Sequence, residues 1–204
     1  MSNEKATAAA KRPKPSLSIE PQYIGRITGV LLGICLVVAL LLGVVNQTTK
    51  PKIDAIEAEK IRAAMSQVLH ADEYVPWEGD LPKNVTSLSL ARSNGESLGW
   101  VVQTTATGSQ GPITMMVGLD LSGAVTGVSI VSHSETPNIG TKVVTDQSVL
   151  DRFVGMSHAD GEITVNSGSN RFDGVSGATV SSRGVTSGVN AALDVVADLL
   201  VKEG

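Results

Sequence analysis

A chain of 204 residues has room for one modest domain with added segments, not for two large ones. Hydrophobic residues at 42% and charged residues at 18% support a buried core and exclude wholesale disorder. A formal net charge of −4, with no basic stripe, excludes recognition of a nucleic-acid backbone. The single cysteine, Cys35, excludes an internal disulfide framework. It also excludes a Cys-rich zinc site and a cysteine-ligated iron–sulfur cluster held by this chain alone.

Residues 1–24 carry few apolar side chains and three prolines, Pro13, Pro15 and Pro21, which predicts a flexible tail. Ile27–Val45 contains no charged side chain and, at about 1.5 Å per residue, roughly matches the hydrocarbon thickness of a bilayer. The segment 25–46 is therefore predicted to be a transmembrane helix. A cleaved signal peptide would be shorter and end on small residues, whereas Asn46-Gln47-Thr48-Thr49 follows here. A lipoprotein signal fits no better, because Ile34 precedes a cysteine in mid-span. Lys11, Arg12, Lys14 and Arg26 precede the span, while Lys50, Lys52 and Lys60 follow it. The positive-inside rule thus leans slightly toward a cytoplasmic N-terminus and a single crossing, with the remainder outside the membrane.

In residues 47–70, Ile53, Ile56, Ile61, Ala64, Met65, Val68 and Leu69 recur at helical spacing. This is an amphipathic stalk or the first helix of a domain covering 71–204. Four β-type runs follow at Val85–Ala91, Leu98–Thr105, Ile113–Leu119 and Ala124–Ser132, divided by turn signals such as Asn94-Gly95 and Ser122-Gly123. Tight turns between successive runs predict antiparallel pairing. Val143–Val154 reads as a helix, Ile163–Val165 as a short strand, and Ser181–Lys202 as an amphipathic helix. A block of strands flanked by helices predicts the α+β class.

His70, His133 and His158 share no metal-ligand spacing, so no metal site is predicted, and neither a Walker loop nor a dinucleotide fingerprint is present. Gly174-Val175-Ser176-Gly177 is one residue out of register with a serine nucleophile elbow. No catalytic residue is assigned. Two polar segments remain. Asp173-Gly174-Val175-Ser176-Gly177-Ala178-Thr179-Val180-Ser181-Ser182 gathers glycines and hydroxyls before the last helix, where unpaired amide groups suit a phosphate. His133-Ser134-Glu135-Thr136-Pro137-Asn138-Ile139-Gly140-Thr141-Lys142 mixes an acid, a hydroxyl and a lysine in a loop shaped by Pro and Gly. Taken alone, the first reads equally as a helix cap and the second as a solvated turn.

Together, the two segments resemble the covalent FMN-binding domain family. Ser176-Gly177-Ala178-Thr179 preceded by Asp173 is similar to its flavinylation motif, and His133–Lys142 to its His-x-Glu-Thr-Pro-Gly-Leu-Gly-x-Lys loop. Gly111-Pro112-Ile113 and Val117-Gly118-Leu119-Asp120 resemble the strand region between them. The resemblance implies covalent FMN on the Thr179 hydroxyl through a phosphoester, added by a separate flavin transferase. It places Asp173, Ser176, Gly177 and Ala178 in the recognition loop, counts Ser181 among the cofactor-binding residues, and sets Glu135, Thr136 and Lys142 against the flavin. Lys142 close to the ring would favour an anionic reduced or semiquinone flavin by charge attraction. Departures are Asn138-Ile139 for Gly-Leu, Ser181 for Thr, and Ser109-Gln110 for Tyr-Gly.

By the same resemblance, the chain is an electron-carrier subunit of a membrane-bound complex that couples electron transfer to ion translocation. Its partners would be integral membrane, flavinylated and iron–sulfur subunits, along with membrane lipid, and its place the bacterial inner membrane with the FMN domain on the periplasmic or extracellular side. An Rnf-type complex is the leading expectation. A sodium-pumping NADH:quinone reductase and a cofactor-free membrane-anchored assembly module are the alternatives.

Overall fold

The computed structural model describes residues 21–203, so the expected N-terminal tail lies almost wholly outside the described residues. The chain divides into two units, residues 1–53 and 54–204. A long helix, α1 (Pro21–Val68), contributes to both. Its part in the first unit is apolar and bare: Leu32 is 67% exposed and Leu42 64%. This segment is long and apolar enough to cross a bilayer, and lipid is the medium that accommodates such a surface.

The second unit is built on a five-stranded antiparallel meander of β1 (Glu73–Pro76), β2 (Val85–Ser93), β3 (Glu96–Thr107), β4 (Pro112–Asp120) and β5 (Val125–His133), paired in that order. Strands β2 and β3 extend beyond their apolar runs because Asn94-Gly95 takes positive φ at both positions, 53° and 83°. That geometry continues strand pairing up to Ser93 opposite Glu96. Strand β1 has no alternating pattern and ends on Pro76; β2 is its one strand partner, and the Tyr74 hydroxyl also donates to the Leu69 carbonyl at 2.8 Å.

The sheet is covered on both faces. One buries Leu88, Val102, Met115, Val117 and Val128 in a core shared with Val185, Val189, Leu193 and Val196 of α4 (Thr179–Glu203). The other packs Val101 and Met116 against Ala64 and Val68 at the end of α1. There the Thr126 hydroxyl donates to the Val68 carbonyl at 2.7 Å. Helix α4 approaches β3 closely: a Cβ added at Gly184 would stand 2.7 Å from the Thr107 carbonyl oxygen. It starts at Thr179, two residues before the predicted Ser181.

The helix predicted over Val143–Val154 is broken. It is observed as α2 (Thr141–Thr145), α3 (Gln147–Leu150) and a single 3-10 turn at Asp151–Phe153. Asp146 leaves helical geometry and caps α3, its carboxylate accepting the Ser148 N–H at 3.0 Å and the Ser148 hydroxyl at 2.6 Å. Of the expected apolar set, Val143, Val144, Val149, Leu150 and Phe153 are nonetheless buried, whereas Val154 is 50% exposed. Beyond it, β6 (Thr164–Val165) and β7 (Arg171–Phe172) form a small parallel pair, and Phe172 stacks on Phe153 at 4.1 Å.

The β4–β5 turn is organised by one carboxylate. Asp120 accepts the Ser122 and Ala124 N–H groups at 2.8 and 3.0 Å and the Ser122 hydroxyl at 2.6 Å. Partial burial pushes its pKa up, but the hydroxyl and amide donors outweigh this and hold it below the ordinary carboxylate value. A depressed pKa contributes stability that is present above the unfolded value, near 4, and lost as pH falls through the folded value. Asp120→Asn is therefore expected to cost roughly 1 kcal/mol at neutral pH. In thermal unfolding of the full chain in detergent, its deficit against the parent shrinks toward zero as pH falls below the ordinary carboxylate range and through the depressed folded value.

Candidate functional site

Three segments distant in sequence converge beside the first turn of α4. They are the β3–β4 loop at Ser109, the loop after β5 from Glu135 to Gly140, and Gly177–Ser181. They line a cavity of about 190 Å³. Among the residues expected from sequence, Glu135, Thr136, Gly177, Ala178, Thr179 and Ser181 line it together. Thr179 is exposed as the first residue of α4, Ala178 behind it is buried, and Gly177 turns the chain into the helix with a φ of 80°. The exposed apolar side chains of Ile139 and Val180, each 55% exposed, also line the cavity.

Asp173, Ser176 and Lys142 are not among its lining residues. Asp173 pairs with Arg171 at 2.9 Å, Ser176 is exposed in the loop, and Lys142 is exposed on α2. The Asp173–Ala178 loop is instead held by groups that its own motif does not include. Arg152 Nη1 donates to the Asp173 carbonyl at 2.7 Å, Asn166 Oδ1 accepts the Gly174 N–H at 2.9 Å, and Ser182 Oγ accepts the Val175 N–H at 3.2 Å. Sequence reasoning misses Arg152 and Asn166, and no local pattern marks either. The hydroxyl of Ser182 is visible as part of the cluster at the helix start.

Glu135 is the most enclosed polar group of the three converging loops after Ser181, 5% exposed. Its Oε1 accepts the Ser109 N–H at 2.7 Å and the Gln110 N–H at 3.4 Å, and its Oε2 accepts the Ser181 hydroxyl at 2.5 Å. Its own N–H donates to His133 Nδ1 at 3.3 Å, which gives that histidine a place in the loop. His158 lies elsewhere, 3.1 Å from Asp194 on the surface.

The FMN-binding domain family matches residues 108–194, a span that contains all three converging segments. The G subunit of an ion-translocating oxidoreductase complex from Methanosarcina acetivorans is 30% identical over 185 residues, covering 87% of this chain and 96% of its own. The chain belongs to this G-subunit family. The G subunit of the Na(+)-translocating ferredoxin:NAD(+) oxidoreductase complex of Acetobacterium woodii is 28% identical, covering 91% of this chain and 98% of its own. Among solved structures, NqrC of Shewanella oneidensis is similar at 20% identity with a TM-score of 0.48, over 68% of this chain and 74% of that one.

Within this family member, one departure from the motif has a visible backbone reason. Asn138, standing for the glycine of the loop, has a φ of 65°, where asparagine is the best tolerated residue after glycine. Its N–H donates to the Thr141 hydroxyl at 2.9 Å. Asn138→Gly is expected to leave the unfolding temperature of the full chain near that of the parent. Asn138→Val should lower stability by about 1–2 kcal/mol, because a β-branched side chain is strained at that φ. Equal melting curves for the two variants would contradict the conformational account.

Proposed function

We propose that Thr179 carries FMN as a phosphoester of its hydroxyl, and that the domain serves as the electron-carrier subunit of an Rnf-type ion-translocating complex. The observation that carries this reading is the placement of Thr179: exposed, first in a 25-residue helix, and on the wall of the cavity. Amide groups in the first turn of a helix lack intrahelical acceptors and favour an adjoining negative charge, so the phosphate is attracted to its own attachment point. Gly177 and Ala178 leave that point without bulky neighbours on the preceding side.

A cavity of about 190 Å³ is smaller than the roughly 300–1,000 Å³ that encloses a drug-sized ligand. It therefore suits part of a flavin, with the remainder at the surface between Ile139 and Val180. FMN supplies one- and two-electron redox chemistry when bound, and attachment through the phosphate leaves its ring system unaltered. Partial exposure keeps one edge open for electron exchange with other subunits. Covalent attachment prevents loss of the cofactor on the periplasmic or extracellular side, where it is not readily replaced. Thr179 is thus an attachment point, and no residue of this chain is assigned as a catalytic acid, base or nucleophile.

Maturation requires a flavin transferase that reads the segment from Asp173 to Ala178. Residues 25–46 anchor the subunit in the lipid of the inner membrane as a single crossing. Its partners are the integral membrane, flavinylated and iron–sulfur subunits of the complex. The family relationship over most of the chain favours the Rnf type over the sodium-pumping NADH:quinone reductase and over a cofactor-free scaffold.

The chain purified from its native cell, with the flavin transferase present, should fluoresce under ultraviolet light in a denaturing gel. Its Thr179-containing peptide should carry one FMN increment by mass spectrometry. Thr179→Ala should abolish both signals while the protein still accumulates and folds. Retention of the flavin by that variant would transfer the attachment to another hydroxyl.

A further inference from the structure

We propose that Glu135 is a positioning residue, a carboxylate brace that ties three separate segments into one flavin seat, and not a group that serves the ring directly. This deepens the reading of Thr179 as the attachment point and rests on it for the identity of the seat, although the brace itself is defined by the chain alone. The resemblance in sequence sets Glu135 against the flavin. Its partners give it a different task.

Both carboxylate oxygens are already engaged. Oε1 receives two successive amide N–H groups, from Ser109 and Gln110, and Oε2 receives the Ser181 hydroxyl. These donors lie 26, 25 and 46 residues away along the chain, on the β3–β4 loop and the first turn of α4. Without Glu135, two loop amides and a buried hydroxyl would lose their acceptor together, and among the described residues no other hydrogen bond joins that loop to the helix start. Hydrogen bonds to a carboxylate are stronger than those between neutral groups. The surroundings are also shaped to admit the carboxylate. A Cβ at Gly108 would overlap Oε1, and one at Gly140 would overlap Oε2, so a side chain at either position would push the brace out.

The functional consequence passes through Ser181. It stands two residues beyond Thr179 in the same helical turn, so anchoring its hydroxyl fixes the direction in which the Thr179 hydroxyl is presented. Because Ser109, Gln110 and Ser181 are committed to the carboxylate, the phosphate is left to the free amides of α4. Ser181→Thr keeps a hydroxyl at this point, whereas Ser181→Ala removes it.

The test uses the full-length chain in detergent, in two backgrounds. In flavin-free Thr179→Ala, amide hydrogen exchange is followed in peptides spanning 108–111 and 178–182. Glu135→Gln and Ser181→Ala should each accelerate exchange in both segments together, by roughly tenfold, while Ser181→Thr matches the parent. Acceleration confined to one segment, or none, overturns the brace. If Glu135→Gln fails to fold, the Ser181 pair decides on the same criterion.

In the flavinylated chain, Glu135→Gln and Ser181→Ala should shift the flavin midpoint potential in the same direction and raise iodide quenching of its fluorescence. Ser181→Thr should restore both. A potential and quenching equal to the parent's, with exchange accelerated, would reduce Glu135 to a purely structural contact and overturn the positioning role. Absence of flavin from the parent itself, with the exchange pattern as expected, would instead remove the attachment reading and leave the brace standing.

Discussion

The seating of α4 on the sheet is the constraint from which the site follows. Gly184 lets the helix approach the end of β3 to within reach of the Thr107 carbonyl, while Val185, Val189, Leu193 and Val196 enter the core beneath it. A helix fixed so closely has no freedom to slide, and its first residue is held where the β3–β4 loop and the loop after β5 both end. Thr179 is exposed, yet the turn that carries it is anchored by the buried hydroxyls of Ser181 and Ser182. The proposed attachment point thus stands at the head of a core helix, exposed yet held in place.

Polar interactions then arrange what apolar packing has brought near. The hydrophobic core draws the three segments together without specifying the course of their loops, since it is indifferent to direction. Glu135, Asn166, Ser182 and Arg152 supply that direction, each by accepting from or donating to backbone groups of a loop. Asp120 and Asp146 act in the same manner at turns away from the cavity, and hydroxyl and amide donors depress the pKa of both. Loops held by such contacts keep a defined shape while remaining at the surface, as a cofactor seat requires.

Much of this is legible in the sequence, and for identifiable reasons. The meander is visible because apolar runs alternate with turn residues, Asn94-Gly95 above all. The last helix is visible because its apolar stripe persists from Val185 to Leu200. Hydroxyls and glycines ahead of it mark the segment proposed for attachment. Strand β1 is not visible, since four residues ending in Pro76 form no pattern and owe their conformation to pairing with β2. The break at Asp146 is hidden because apolar positions on either side keep helical spacing while the cap interrupts the backbone. Least legible is the company of Glu135. Its acid character stands out locally, but its partners lie far along the chain, and two of them are backbone amides whose donors carry no side-chain signature.

The proposed redox role rests on one bond, from a flavin phosphate to the Thr179 hydroxyl, and on where that hydroxyl lies. An experimental structure of the chain isolated from its own membrane would test both at once. Continuous density should run from the Thr179 Oγ1 to a phosphate at the first turn of α4, with the ring at the mouth between Ile139 and Val180. Density joined to any other side chain, or a flavin seated away from that mouth, would contradict it.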